Sequence, residues 1–522
     1  MRIVFDKSTY KPGEKISGSA TSGELFIYKL SDLVHSTPIV GEFSLAPLPA
    51  GSYSVELRTI TGSIWSAIEV IANPWQRIRY GFLSEFHNQL DTSRQVAWAK
   101  KLHLTAIQFY DWAYKHETLI APTDNYLDPL GGEITKSKLQ ELIFAYEAAG
   151  IYPSGYAAVY AVDREGWQRW SDSGLYSRDG KPFQLGEDFL WILDPADQKW
   201  LTHFINELKR AREFGFKTFH LDQYGWPKLA YKKGMRDGAA IELSVQFTTM
   251  LNKIIAEMPD TYFIFNNVND FPTWASAQTK QNASYIEVWD PHSEYRDLAE
   301  LIDKARSYDP DKPVILSAYL KPFGGNNIEA ANASLELALA TISSRGASHL
   351  ITGGDGRVLY DPYYVRNHRA ADNTLAILEN YFNFITAAGD LLFNPERIDI
   401  TRTHALGINT ELIIISEDSI TANYLPDNLN ISIFDSDAGC TLHILNFLGQ
   451  DNSIWDRPKN PIDRSSRVKI SILSAGFSEE WHIGRADQSS KFTKMNAKTV
   501  ADKFILDIVI TGAWTIIHIP KF

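Results

Sequence analysis

Cysteine is nearly absent from this chain, in which Cys440 is the only thiol among 522 residues. One thiol can form neither an intramolecular disulfide nor a cysteine-cluster metal site. The 13 histidines form no His-x-x-x-His or His-Glu-x-x-His pattern, so the sequence predicts no zinc site. The Gly-x-Ser-x-Gly elbow of serine hydrolases is missing too, and no Gly-x-Gly-x-x-Gly phosphate turn follows the first strand of the middle region. We therefore expect neither a metal nor a cofactor.

Basic residues and long apolar runs are scarce as well. Lys and Arg total 51 against 63 Asp and Glu, which gives a formal net charge of −12. Because nucleic-acid binding depends on Lys and Arg at phosphates, we expect no nucleic-acid partner, whereas a neutral polysaccharide is compatible with this charge. No apolar run is long enough to cross a membrane, and no leader is recognisable. We expect a monomer without membrane contact, extracellular with its leader missing from this chain, or alternatively cytoplasmic.

The pattern along the chain predicts three domains. Residues 1–73 form short β-rich runs with frequent turns, which is typical of an immunoglobulin-like β-sandwich. Residues 74–392 alternate between strand and helix patterns, and residues 393–522 predict a C-terminal antiparallel β-sandwich. Eight β/α units predict a central (β/α)8 TIM barrel, with an open doubly wound sheet as the alternative. Their strand candidates are Arg79–Ser84, Leu104–Tyr110, Tyr152–Val159, Lys217–Asp222, Tyr262–Asn266, Ser284–Val288, Pro313–Tyr319 and Ser348–Gly353.

Two of these strand candidates end in a carboxylate beside aromatic residues. They are Asp222, which closes the fourth strand, and Glu287, at the end of the sixth. Barrel enzymes keep catalytic groups at the C-terminal ends of strands, and cleavage of a sugar acetal uses two carboxyl groups that flank the bond. We hypothesise that Asp222, followed by polar residues, stays ionised, and that apolar neighbours raise the pKa of Glu287, the acid. The alternative for each carboxylate is a helix cap or an ion-pair partner.

Polar and aromatic residues follow other strand candidates too. Asp111 could accept sugar hydroxyls, while Trp112 could stack on the apolar face of a sugar ring. Asn266 ends the fifth strand, and Asp355 lies in a Gly-Gly-Asp-Gly sequence that could equally be a plain turn. The complete set of predicted substrate-binding residues is Asp111, Trp112, His116, Tyr224, Trp226, Asn266, Trp289, Asp290 and Asp355.

Taken together, these phrases resemble glycoside hydrolase family 66, which contains dextranases and cycloisomaltooligosaccharide glucanotransferases. The combination of Asp222-Gln-x-Gly with Glu287-Val-Trp is the specific part of the resemblance. The matching phrases are Gln108–Trp112 with His116, Leu193–Pro195, Phe219–Gly225, Phe265–Asn269, Tyr285–Trp289, His443–Asn446, Trp455–Arg457 and Pro461.

The resemblance implies a retaining enzyme that acts on α-1,6-linked glucan. Its partners would be dextran or isomaltooligosaccharides. Asp222 matches the family's nucleophile and Glu287 its acid/base. Asp111, Trp289 and Asp355 fall where similar proteins line the donor subsites.

One departure from the family pattern separates its two activities. Cyclising members carry a carbohydrate-binding module inserted in the barrel, whereas here a single helix, about Ile328–Arg345, separates the seventh and eighth strands. We therefore expect an endo-acting dextranase that releases isomaltooligosaccharides through a covalent glycosyl-Asp222 intermediate. The alternatives are a transglycosylase that makes longer or cyclic isomaltooligosaccharides and, from a different class, a non-catalytic glucan-binding protein.

Overall fold

The N-terminal segment forms one antiparallel sheet in the computed structural model, which describes residues 1–235 and 238–522. Strand β2 pairs with β3 along its length, with β1 through its first half and with β4 through its second half. A register shift between Ala20 and Gly23 interrupts the β2–β3 ladder, and such irregularities bend a strand. The sheet encloses a core that contains the fully buried Ile27, Val55 and Leu57. The five strands are β1 (Ile3–Phe5), β2 (Ile16–Lys29), β3 (Asp32–Leu45), β4 (Gly51–Thr59) and β5 (Gly62–Val70).

The immunoglobulin-like sandwich that the sequence predicts stays a prediction. Within the described residues, the segment has one hydrogen-bonded sheet rather than two. The physical reason is the length of β2 and β3, 14 residues each. Strands this long can pair with different partners in their two halves, so one bent sheet covers its own core.

The middle of the chain contains all eight predicted strands, joined into a strongly curled sheet. Seven consecutive strands pair in parallel in chain order. The eighth is split: its first piece pairs with the seventh strand and its second piece pairs with the first. The strands are β6 (Tyr80–Leu83), β7 (Ala106–Phe109), β8 (Tyr152–Ala158), β9 (Thr218–Asp222), β10 (Tyr262–Val268), β11 (Ala283–Glu287), β12 (Val314–Ser317), β13 (Ser348–His349) and β14 (Thr352–Gly353).

Helices connect these strands and pack against the outside of the sheet. Several begin at an Asp or Asn whose side chain accepts a backbone N–H of the first turn, which is the expected N-cap arrangement. The helices are α1 (Thr92–Lys101), α2 (Lys136–Ala148), α3 (Arg164–Trp170), α4 (Gln198–Phe214), α5 (Leu243–Glu257), α6 (Thr273–Ser276), α7 (Tyr295–Tyr308), α8 (Ile328–Ser344), α9 (Asp372–Ala387) and α10 (Gly389–Leu392).

The loops of this region contain short strands. They form small antiparallel pairs or triplets that extend the connections at the C-terminal side of the sheet. Their bounds are Asn125–Leu127 with Glu133–Thr135; Ala161–Val162, Gln184–Leu185 and Leu190–Ile192; Leu229–Ala230 with Ile241–Glu242; and Arg357–Val358, which pairs with β14.

The C-terminal segment consists of two antiparallel-rich sheets that share a core. Buried side chains of both sheets, among them Ile431 and Ile470, belong to one apolar cluster, so the sheets pack face to face. One sheet contains Ile398–Asp399, Ile420–Thr421, Leu429–Ser436, Gly439–Asn446, Glu480–Arg485, Thr493–Asn496 and Trp514–Pro520. The other contains Leu412–Ser416, Ser466–Leu473, Lys498–Val500 and Lys503–Ile510.

Polar contacts fasten the three regions to one another. Glu69 at the end of β5 pairs with Arg79 just before β6 at 2.7 Å, and both side chains are almost fully buried. Ser54 of the N-terminal sheet lies 2.7 Å from Ser490 of the C-terminal region. Among the described residues, no helix combines the length and apolar character needed to cross a membrane.

Candidate active site

The two predicted carboxylates lie one strand apart at the same edge of the curled sheet. Asp222 is the last residue of β9, Glu287 is the last residue of β11, and β10 runs between them with Asn266 near its end. Their neighbours Leu221 and Ile286 are fully buried. Since side chains alternate between the two faces of a strand, Asp222 and Glu287 point to the opposite face, toward the axis of the curled sheet.

A single amide links the two carboxylates. Asn266 Nδ2 donates to Asp222 Oδ1 at 2.7 Å and to Glu287 Oε2 at 2.9 Å. These two oxygens therefore lie no farther apart than both bonds laid end to end, at most about 5.6 Å. The remaining oxygens are also held: the Tyr156 hydroxyl donates to Asp222 Oδ2 at 2.7 Å, and the Tyr319 hydroxyl donates to Glu287 Oε1 at 2.6 Å.

Both carboxyl groups hold protons more tightly than they would in water. Burial, and next the charge of Glu287, raise the pKa of Asp222 to about 7, against the hydrogen bonds from Tyr156 and Asn266. Burial also raises the pKa of Glu287. The sequence neighbours predict a raised pKa for Glu287 and an ionised Asp222, whereas in the structure the pKa values of both groups are raised. Two carboxyl groups this close titrate as a pair.

The pair lines a cavity of about 340 Å³ whose walls are largely aromatic. Trp289 and Tyr363 stand at its rim, 38% and 46% exposed, where a ring face is available for stacking on a sugar. Besides these and the two carboxylates, the walls contain Gln108, Tyr110, Tyr156, Leu185, His220, Gln223, Tyr224, Asn266, Val268, Tyr285, Tyr319, Pro362 and Tyr364.

The structure brings three of the predicted binding residues into this cavity: Tyr224, Asn266 and Trp289. Asp111 lies behind the wall, where burial and the charges of Asp128 and Asp222 raise its pKa to about 8. An acid with that pKa is mainly protonated at neutral pH and can donate a hydrogen bond. These four residues remain predictions as substrate contacts.

The other predicted binding residues lie outside the cavity wall. His116 is buried, and burial lowers its pKa to about 4. The ring of Trp226 packs edge-on against Phe183, with 5.8 Å between ring centroids. Asp290 is exposed and lines a neighbouring cleft. These three residues also remain predictions as substrate contacts.

Trp112 and Asp355 depart from the expectation that they contact substrate. The indole of Trp112 is fully buried; it donates to the Tyr156 carbonyl at 3.0 Å and packs on Phe216 with 4.6 Å between centroids. Asp355 forms an ion pair with Arg94 of α1 at 2.6 Å, on the side of the sheet away from the cavity. Asp355 has a left-handed backbone with φ 57°, as has Asp111 just before Trp112 with φ 47°. A left-handed residue breaks the alternation that the sequence pattern assumes, so these side chains turn elsewhere.

Several cavity residues carry no recognisable sequence signal. Tyr156 lies in β8 among alanines, and Tyr319 follows β12 by two residues. A lone tyrosine in a strand is more often a core residue, so only the shared geometry reveals that both donate to the carboxylates. In the described ranges, 1–235 and 238–522, no group of three or more His, Cys, Asp or Glu is arranged to hold a metal ion.

Comparison with known proteins decides the family. The model of glycosyl hydrolase family 66 matches residues 52–510. The chain belongs to this family. Two curated relatives from Niallia circulans, both named cycloisomaltooligosaccharide glucanotransferase, are 26% and 27% identical over 392 residues. The match covers 64% of this chain and only 40% of each relative, so the family 66 chain described here spans about two fifths of their length.

Solved structures show the same fold. A cycloisomaltooligosaccharide glucanotransferase of Paenibacillus sp., crystallised with cycloisomaltoheptaose, superposes with a TM-score of 0.86 at 18% identity and 99% coverage of both chains. An α-amylase of Geobacillus thermoleovorans, crystallised with acarbose, gives a TM-score of 0.54 at 10% identity, with 86% of this chain and 99% of the amylase covered. At these identities the likeness concerns the fold alone.

Proposed function

We propose that this family 66 protein is a retaining glycosidase in which Asp222 is the nucleophile and Glu287 the acid/base. The observation that carries the proposal is the shared amide of Asn266, which limits the separation of two carboxylate oxygens to about 5.6 Å. Retaining enzymes keep their carboxyl groups about 5–5.5 Å apart, whereas inverting enzymes need about 6.5–9.5 Å to admit a water molecule between acid and base.

We infer that the curled sheet is a closed (β/α)8 barrel within the domain that spans residues 74–392, between an N-terminal domain of residues 1–73 and a C-terminal domain of residues 393–522. The split eighth strand supports closure, because β13 pairs with β12 and β14 pairs with β6. Only Leu350 and Ile351 separate the two pieces, and both are fully buried. The carboxylates would then stand at the C-terminal mouth, where barrel enzymes carry their catalytic groups.

The proposed reaction conserves one negative charge on the pair. In the first step Asp222 attacks the anomeric carbon and becomes an ester, while Glu287 gives its proton to the leaving oxygen. In the second step Glu287, now ionised, takes a proton from water, which displaces Asp222. The reaction begins from the form of the pair in which Asp222 is ionised and Glu287 is protonated, and the raised pKa of Glu287 supports its role as the acid. Tyr156 and Tyr319 keep the two groups oriented.

The proposed substrate is α-1,6-linked glucan, and the proposed outcome is endo-hydrolysis. The substrate rests on family membership and on the names of the relatives. Hydrolysis is proposed from the family pattern alone, in which cyclising members carry a module inserted in the barrel, whereas the connection between β12 and β13 here contains α8 and short loops. The length of the chain does not distinguish hydrolysis from transfer, because the match to the Paenibacillus sp. glucanotransferase covers 99% of both chains.

Transfer to a sugar hydroxyl is the second candidate. Both curated relatives are named glucanotransferases, and this favours a second step in which an acceptor chain replaces water. The two outcomes share the glycosyl-Asp222 intermediate and differ only in what displaces it. The same cavity would serve both.

The test is incubation of the purified protein with dextran, followed by chromatography of the products. A ladder of isomaltooligosaccharides that is absent with Asp222→Ala supports hydrolysis, while longer or cyclic products at high substrate concentration support transfer. Binding of dextran without turnover by the unmodified protein would instead support a non-catalytic glucan-binding protein. If dextran and isomaltooligosaccharides are neither bound nor cleaved, the proposed function is wrong.

A further inference from the structure

A second cleft opens beside the active-site cavity, between the middle and C-terminal regions. We call it the domain cleft. It encloses about 620 Å³, within the range of ligand sites in proteins. Its polar lining consists of Asp290, Ser293, Lys321, Asn326, Asn327, Asp456 and Arg457.

The domain cleft adjoins the active-site cavity through two loops. Trp289 and Tyr319 line the cavity, and Asp290 and Lys321, one and two residues farther along the same loops, line the cleft. The first of these loops follows directly on Glu287. The domain cleft therefore lies next to the cavity, on the side of the loop that follows Glu287.

The C-terminal wall of the cleft is firmly positioned. Its segment, residues 451–459, hydrogen-bonds to the loop after β11: the Trp455 N–H donates to the Ser293 carbonyl at 3.0 Å, and the Tyr295 N–H donates to the Ser453 carbonyl at 2.9 Å. The buried ammonium of Lys459 donates to the Arg457 carbonyl at 3.1 Å and to Asn452 Oδ1 at 2.7 Å. A wall held in this way loses little freedom when a ligand binds, and such preorganisation favours affinity.

Three side chains of the cleft have unused hydrogen-bonding groups. The carboxylate of Asp290, the amide of Asn326 and the guanidinium of Arg457 are exposed, and within residues 1–235 and 238–522 they make no side-chain hydrogen bond or ion pair. Together they offer acceptors and donors, as a sugar with several hydroxyls requires. By contrast, Lys321 of the loop after β12 and Asp456 of the C-terminal wall are paired with each other.

We propose that the domain cleft binds glucosyl residues of the chain on the leaving-group side of the scissile bond, and equally an acceptor chain in transfer. The inference rests on the proposed function, because it takes Glu287 as the acid. The leaving oxygen must lie beside the acid that protonates it, and the loop that follows Glu287 contributes Trp289 to the cavity and Asp290 to the cleft. A substrate long enough to reach the cleft gains contacts that isomaltotriose lacks.

The test compares chain lengths in an Asn326→Ala/Arg457→Ala variant. Both side chains are exposed, and only the Arg457 backbone is used in the fold, so the variant should fold normally. The ratio of kcat/KM for isomaltoheptaose to kcat/KM for isomaltotriose should fall at least about thirtyfold, as expected for two lost hydrogen bonds, one of them charged. Arg467→Ala, an exposed arginine on a C-terminal strand, is the matched control and should keep the wild-type ratio.

A binding measurement separates failure of this inference from failure of the proposed function. In an Asp222→Asn background, calorimetry should show at least about thirtyfold weaker isomaltoheptaose binding when the two cleft substitutions are added. If the wild-type enzyme cleaves isomaltoheptaose but ratio and affinity both stay within twofold, the cleft proposal is wrong and the function stands. If the wild-type enzyme cleaves no isomaltooligosaccharide and the affinity still falls, the function is wrong and the cleft is a glucan-binding site. If neither variant binds isomaltoheptaose, both proposals are wrong.

Discussion

Asn266 is the residue whose removal most sharply perturbs the two carboxylates. It donates to Asp222 at 2.7 Å and to Glu287 at 2.9 Å, so Asn266→Ala removes one hydrogen bond from each. The backbone carbonyl of Asn266, which accepts from Gln223, is kept in the variant. We therefore expect a folded protein with an altered active site.

The size of the effect can be worked from these contacts. A hydrogen bond to a charged group contributes about 1.5–3 kcal/mol, so its loss from ionised Asp222 raises the pKa of that group by about one to two units. Two charges about 5.6 Å apart also repel by about 3 kcal/mol at an effective dielectric constant of about 20, and the amide no longer offsets this repulsion. We expect kcat/KM at the optimum to fall about tenfold to a hundredfold.

The assay is the release of reducing ends from isomaltooligosaccharide between about pH 4 and about pH 9. Because the nucleophile must be ionised, a raised pKa of Asp222 moves the acidic limb of the kcat/KM profile to higher pH, by about one to two units. Asn252→Ala, an exposed asparagine on α5, is the control and should leave rate and profile unchanged. An Asn266→Ala enzyme with a wild-type profile and a rate within twofold would refute the reasoning.

Three further predictions concern the same pair and the junction before the curled sheet. Tyr319→Phe removes a 2.6 Å donor from Glu287, so the pKa of the acid rises and the basic limb of the kcat/KM profile should move to higher pH; an unmoved limb would contradict this. Asp222→Asn should abolish turnover and raise Tm. The pKa of Asp222 is raised to about 7, so ionisation destabilises the folded wild type progressively from about pH 4 to pH 7, and the Tm difference should grow over that range. An equal Tm at all pH values would count against it. Glu69→Gln leaves the buried Arg79 unpaired and should cost about 3–5 kcal/mol in chemical denaturation, whereas exposed Glu300→Gln should cost little.

The strand ends could be predicted because they depend on a local pattern. Asp222 and Glu287 each follow an apolar run that ends abruptly, and the structure places both at the ends of parallel strands. The alternation of apolar and polar residues also predicts which face they occupy. For these residues, sequence and structure agree because no irregularity interrupts the alternation of side chains between the two faces of the strand.

The remaining geometry depends on features that a single sequence does not encode locally. Trp112 follows the left-handed Asp111 and turns into the core, where it contacts Phe216, far away in sequence. Tyr156 and Tyr319 reach the carboxylates from separate strands, and only the closure of the sheet brings them together. The pKa of Asp222 is raised by burial that its polar sequence neighbours do not reveal.

The central claim is that Asp222 forms a covalent bond to the substrate with Glu287 as the acid/base. The most direct measurement is mass spectrometry of Glu287→Gln after reaction with isomaltosyl fluoride, whose fluoride leaves without help from an acid. Without the base, water cannot be activated, so the glycosyl enzyme should accumulate. We expect one added isomaltosyl group, located on the peptide that contains Asp222 and absent when Asp222→Asn is also present. No added mass, or a group attached elsewhere, would contradict the mechanism.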